Sequence, residues 1–129
     1  MHRQALIVGG GIGGLCAAIC LRLTGWDVQV FEQAPEITEI GAGLQISPNG
    51  VKILEHIGVM ERLEPAVFEP EAIEIRMGVS GRPILYLPMK GVAAQRWGAR
   101  YLQVHRADLI TALSARLDAL QPGAMQTGC

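Results

Sequence analysis

Five glycines fall in six positions, Gly9 to Gly14 with only Ile12 between them, and they follow directly on the apolar run Ala5-Leu6-Ile7-Val8. A short apolar run that stops at glycines reads as a parallel strand, buried on both faces, giving way to a tight turn. From Ile12 the apolar positions fall at Ile12, Leu15, Cys16, Ile19 and Leu23, a helical stripe, and Gly25 follows as a C-terminal stop. Val28 to Glu32 reads as a second strand, closed by Ala34-Pro35. Strand, helix and strand make a βαβ unit.

Within that unit Gly9, Gly11 and Gly14 have the G-x-G-x-x-G spacing. The spacing alone is weak, because glycines are common; its position after a strand and at the start of a helix gives it meaning. Gly9 permits the tight turn and Gly11 lets backbone approach a pyrophosphate. The N–H groups of Ile12, Gly13 and Gly14 lie at the positive end of the helix. Ala18 is small enough for helix and strand to pack closely. Glu32 ends the second strand 18 residues past Gly14, placed to accept hydrogen bonds from both ribose hydroxyls and to repel a 2′-phosphate. Neutral Gln33 beside it adds no cation for such a phosphate. These residues predict a site for the ADP half of a dinucleotide, FAD or NAD, and a Gly-rich turn with a surface glutamate is the competing reading.

The charges nearly cancel, 11 basic against 12 acidic, with no block of either sign, which excludes nucleic acid and anionic membrane as expected partners. The uncharged stretch Ala5 to Leu21 raises a membrane span or signal peptide, but glycines at its centre argue against both. Cys16, Cys20 and Cys129 form a poor disulfide framework and fit a reducing cytoplasm. Cys16 and Cys20 lack the further ligands a metal site needs, and His2, His56 and His105 are scattered, so no metal is expected.

Beyond the βαβ unit, Ile37 to Ile46 contains Gly41 and Gly43 and shows neither helical nor strand periodicity, so it reads as a loop held by something else. Ser47-Pro48 predicts an N-cap with proline at the first helical position, the helix running through Val51, Leu54 and Ile57 to Gly58. A short helical piece, Val59 to Leu63, leads to Pro65. Ala72 to Val79 and Pro83 to Leu87 flank Ser80-Gly81-Arg82 as an antiparallel hairpin. A last helix spans Arg106 to Leu120, ended by Pro122-Gly123. The fold class is α/β, a Rossmann-like βαβ unit with an inserted antiparallel hairpin.

Three ordered segments, VGGGIGGLCAAICL with VFEQ at 30 to 33, EIGAGLQISPNGVKILEHIGV at 39 to 59, and VHRADLITAL at 104 to 113, resemble the N-terminal part of the flavin-dependent aromatic-ring hydroxylases, in particular the salicylate hydroxylase-like group. The resemblance implies FAD as cofactor, with the loop around Gly43 and Leu44 along the ribityl chain and pyrophosphate and Arg106 in contact with FAD. A guanidinium there can neutralise pyrophosphate charge; a solvated first-turn arginine is the alternative. Gln45 faces the flavin or is an ordinary loop amide.

The resemblance further implies that residues 1–129 are the N-terminal part of an FAD-binding domain, with the hairpin at 71–88 belonging to a substrate-side sheet and another strand expected near Met125. It also implies NAD(P)H- and O₂-dependent hydroxylation of an aromatic carboxylic acid by the full-length family. Its later portion carries an Asp-Gly and a Gly-Asp motif and most of the substrate pocket, none of which occurs here. The chain therefore reads as incomplete relative to that fold, with the missing C-terminal portion as a possible partner and no catalytic residue of its own. The alternatives are an NAD-binding module of another oxidoreductase and a non-catalytic remnant.

Overall fold

The computed structural model describes residues 3–36 and 41–129. The expected βαβ unit is present: β1 (Gln4–Val8), α1 (Ile12–Leu23) and β2 (Asp27–Glu32), the strands paired in parallel from Gln4↔Asp27 to Val8↔Phe31. The chain returns at its end as β7 (Met125–Thr127), the additional strand that the resemblance implied, parallel to β2 on the side away from β1. The Gln121 side-chain amide extends this pairing before β7 begins. It donates to the Val28 carbonyl at 2.9 Å and accepts from the Val28 N–H at 3.1 Å. A side chain thus stands in for a strand residue and satisfies backbone groups that would otherwise be buried without partners.

The last helix, α5 (Arg106–Leu120), has the expected bounds and packs with α1 on one face of this sheet. Leu15 and Ile19 of α1, Val28 and Val30 of β2, and Leu113 and Leu117 of α5 are buried in one cluster. The alternation along β2 follows from the pleat, which sends successive side chains to opposite faces.

That pleat corrects the expectation for β1. Ala5 and Ile7 pack against the core, but Leu6 and Val8 are 65% and 91% exposed. The described helices cover only one side of the sheet, so the apolar composition of β1 reports two apolar faces of which one is covered here.

A second correction concerns the loop. Ile37 to Ile40 lie outside the described residues, while β3 (Gly43–Ile46) is a strand, antiparallel to β6 (Leu102–His105) with Gly43↔His105 and Ile46↔Leu102 as the end pairs. Its glycine and glutamine hide strand character that the ladder supplies. α2 (Pro48–His56) starts with proline as expected, but Ser47 gives no side-chain cap; its hydroxyl donates to the Asn49 side chain. α3 (Met60–Leu63) follows, with a 3₁₀ turn at Glu64–Ala66.

The hairpin comprises β4 (Ala72–Arg76) and β5 (Pro83–Pro88) as a separate two-stranded sheet. Its first arm stops short of Val79 because the register shifts between Ile75 and Arg76, and Met77 N–H donates to Arg82 O at 2.9 Å to close a wider turn. Beyond it α4 (Val92–Trp97), which the sequence reading did not assign, seats Ala93 with Met89 and Tyr101 in a small second cluster, against which Ile73 and Leu87 pack. No helix among the described residues is long and apolar enough to cross a membrane.

Candidate functional site

The glycine turn divides into positions that the fold requires and positions whose surroundings are open. Gly9 has φ +102°, in the region that favours glycine. A Cβ on Gly14 would overlap the Gly9 carbonyl oxygen, and a Cβ on Gly10 would meet Met125 and Glu32. Gly11 and Gly13 are different: a Cβ on either would meet nothing within 4 Å, and Gly11 is extended at φ −74°, ψ −175°. Their bareness creates an open approach to the first turn of α1, where no side chain caps the helix and no acidic residue stands. The N–H groups of Ile12, Gly13 and Gly14 in that turn suit an anion.

Glu32 stands at the end of β2 beside this turn. Its carboxylate accepts from Gly10 N–H at 2.6 Å and from Ala34 N–H at 2.9 Å. The Ala34 bond first and the Gly10 bond second hold the carboxyl below the usual carboxylate range, against a smaller opposing effect of burial. The carboxylate is thereby fixed as an anion with lone pairs left for further donors. Val8, Gly9, Phe31, Glu32, Gln33 and Cys129 line a cleft of about 530 Å³ there.

Gly10, Ala34 and Cys129 are contributors that the sequence reading passed over. Gly10 was signalled only by the uninterrupted Gly9-Gly10-Gly11 triplet. Cys129 arrives because its N–H donates to Glu32 O at 3.1 Å, a consequence of β7 pairing.

The remaining candidates gather at another place. Gly43 and Leu44 open β3, and Arg106 is the first residue of α5. Arg106 N–H donates to Ala42 O at 3.3 Å, which ties the loop before β3 to the start of α5. Arg106 is half-buried with its Nε inside, unlike a solvated first-turn arginine. α1 packing against α5 connects this second group to the glycine turn. Gln45, paired with Gln103 on the ladder, is exposed. Cys16, Cys20 and Cys129 are free thiols, and burial first, with Cys20 second, raises the Cys16 thiol above its ordinary value.

A family model described as an FAD binding domain matches residues 2–123. The chain is 41% identical over 113 residues to 3-amino-4-hydroxybenzoate 2-monooxygenase of Streptomyces cremeus, covering 88% of this chain and 29% of that protein. It is 36% identical over 122 residues to 6-hydroxynicotinate 3-monooxygenase of Pseudomonas fluorescens, covering 95% of this chain and 31% of that protein. Among solved structures, an HpxO variant of Klebsiella pneumoniae complexed with FAD superposes with a TM-score of 0.79 at 31% identity, over 98% of this chain and 31% of that one. The chain thus spans about 30% of the length of the relatives it matches.

Proposed function

The chain belongs to the FAD binding domain family, and from that premise we propose that it is the cofactor-holding portion of a flavoprotein monooxygenase that hydroxylates an aromatic carboxylic acid with NAD(P)H and O₂. The observation that carries this reading is the open space over Gly11 and Gly13 at the uncapped start of α1, with the Glu32 carboxylate at the next strand end. Gly9, Gly11, Ile12, Gly13 and Gly14 cradle the pyrophosphate, the N–H groups of Ile12, Gly13 and Gly14 supplying the positive field without a side-chain cation. Glu32, anionic at neutral pH, accepts the ribose hydroxyls, and Gln33 borders the adenosine end. Gly43 and Leu44 follow the ribityl chain, and Arg106 offsets phosphate charge. When bound, FAD supplies the redox chemistry, and the protein's part is to bind, orient and shield it.

Residues 1–129 act in this reading as the N-terminal part of the FAD-binding domain. The bare face of β1 and the hairpin receive the rest of the full-length fold, whose later portion completes catalysis. The hairpin becomes one wall of a substrate-side sheet. The names of the relatives, hydroxybenzoate and hydroxynicotinate monooxygenases, support an aromatic acid as substrate. Three free thiols suit a reducing cytoplasm.

Titration of the purified chain with FAD and separately with NAD tests the reading. Saturable quenching of flavin fluorescence, with no NAD-induced rise in melting temperature, is expected. Stabilisation by NAD alone would favour an NAD-binding module, and no response to either would leave a non-binding remnant.

A further inference from the structure

The returning strand β7 reaches the glycine turn with one side chain. Met125, its first residue, stands opposite Val30 on the ladder, two residues before Glu32 on β2. Paired residues, and residues two apart on one strand, point to the same face of a sheet, so Met125 and Glu32 share the face that α1 and α5 cover. The methionine Cε lies 2.5 Å from where a Cβ on Gly10 would stand, and the Glu32 Cβ and Oε2 lie 3.1 and 3.2 Å from that same point. A terminal methyl and a carboxylate therefore close together on one side of Gly10, which is itself buried.

The carboxylate is held at both of its oxygens. Gly10 N–H donates to Oε2 at 2.6 Å and Ala34 N–H donates to Oε1 at 2.9 Å. Ala34 lies two residues away on the same stretch of chain, whereas Gly10 belongs to a turn whose glycines leave the backbone free to rotate. Something must keep the Gly10 N–H aimed at Oε2, and the methyl against Gly10 is in position to do so. Methionine is unbranched and adaptable, so its own orientation has to come from its surroundings. Met125 packs against the main core, and Ser114 of α5 donates to its Sδ at 3.8 Å. A core-filling role alone would be met by any side chain of similar volume; the reach to Gly10 requires the last atom of a methionine.

We propose that Met125 is a positioning residue for the nucleotide site: its methyl holds Gly10 against Glu32, so that the carboxylate turns its remaining lone pairs toward the ribose hydroxyls in one fixed orientation. The ribose half of this inference rests on the flavin-binding reading; the contact with Gly10 does not. The site is then built from both ends of the chain, the glycine turn at one and β7 at the other, and ribose recognition depends on β7 being docked.

Two measurements on the full chain test it. Without ligand, the Gly10 amide proton shift should follow the titration of Glu32, with a midpoint below the usual carboxylate range, and this titration should be absent in Glu32→Gln. In Met125→Leu, an exchange of similar volume that a core tolerates but that ends short of Gly10, the midpoint should rise toward the usual range while the melting temperature stays close to the parent's. With ligand, the parent should prefer ADP over 2′-deoxy-ADP by about tenfold or more, the loss expected for a hydrogen bond to a charged group, and Met125→Leu should reduce that preference to about threefold or less. An unmoved Gly10 titration in folded Met125→Leu, or an unmoved preference where the parent shows one, would overturn the proposal. Should Met125→Leu lose its native circular dichroism, Met125→Val, a strand-favouring residue equally short of Gly10, decides in its place. A parent that binds ADP and 2′-deoxy-ADP equally, or neither, would refute the ribose reading, and the Gly10 titration would still decide whether Met125 holds the carboxylate.

Discussion

The βαβ unit with α5 and the β4–β5 hairpin differ in what holds them. In the first, Leu15, Ile19, Val28, Val30, Leu113 and Leu117 interlock across two helices and a sheet and are almost wholly removed from water. In the second, Ile75, Ile84, Leu85 and Tyr86 all stay exposed, and a few contacts with Met89, Ala93 and Tyr101 anchor one end. Both regions are rich in apolar residues, so composition does not separate them. The difference lies in whether another layer lies within reach, and the bare half of β1 carries it into the first region's own sheet. The buried core of this chain therefore joins α1, β2 and α5 with Val51, Leu54, Ile57, Leu63 and Leu102 in one cluster, while the hairpin and the outer side of β1 present surfaces suited to further contact.

Truncating one aliphatic side chain in each region tests that division most strongly. Leu113→Ala empties a fully buried position and should cost about 2–5 kcal/mol in denaturant unfolding. Ile84→Ala, on the exposed hairpin, should fall within about 0.5 kcal/mol of the parent. Comparable losses would mean that the hairpin belongs to the same cooperative core. A smaller effect is expected from Gln121→Ala, which strips the Val28 backbone of both partners; about 1–3 kcal/mol should be lost, seen also as faster amide exchange at Val28. Unchanged exchange would show that the sheet holds without its side-chain extension.

The smallest effect is a matter of pH. Glu32 lies below the usual carboxylate range in the folded chain, so what its charge contributes is fully present above that range and is lost as pH falls through the depressed value. FAD affinity should thus decline only as pH falls below the usual carboxylate range, and Glu32→Gln should show weaker binding with that acid limb absent. A limb of the same shape in Glu32→Gln would assign the titration elsewhere.

Legibility in the sequence followed the same boundary. Around Gly9 to Glu32, strand, turn chemistry and helical period agree, and the structure repeats them almost residue for residue. α5 was readable from Leu109, Ile110, Leu113 and Leu117. β3 and β6 were not, because four-residue strands carrying glycine or glutamine show no pattern until the distant partner is known. α4 escaped because six residues between the left-handed Gly91 and Gly98 are too few for a helical period. At the candidate site, Gly9, Gly11, Gly14 and Glu32 could be named from spacing read together with the strand before the turn and the helix after it. Gly10 and Cys129 join them only through tertiary pairing.

Within the glycine turn, Gly14 is held by the fold and Gly11 is open toward a ligand, and this contrast bears most directly on the claim that a dinucleotide lies across the start of α1. FAD titration of Gly11→Ala, with thermal unfolding of the same sample, measures it. The extended backbone and empty surroundings of Gly11 predict an unchanged melting temperature with FAD affinity reduced by about tenfold or more, since in the proposed reading the added methyl would stand where the pyrophosphate binds. Undiminished FAD affinity in a fully folded Gly11→Ala chain would contradict the account.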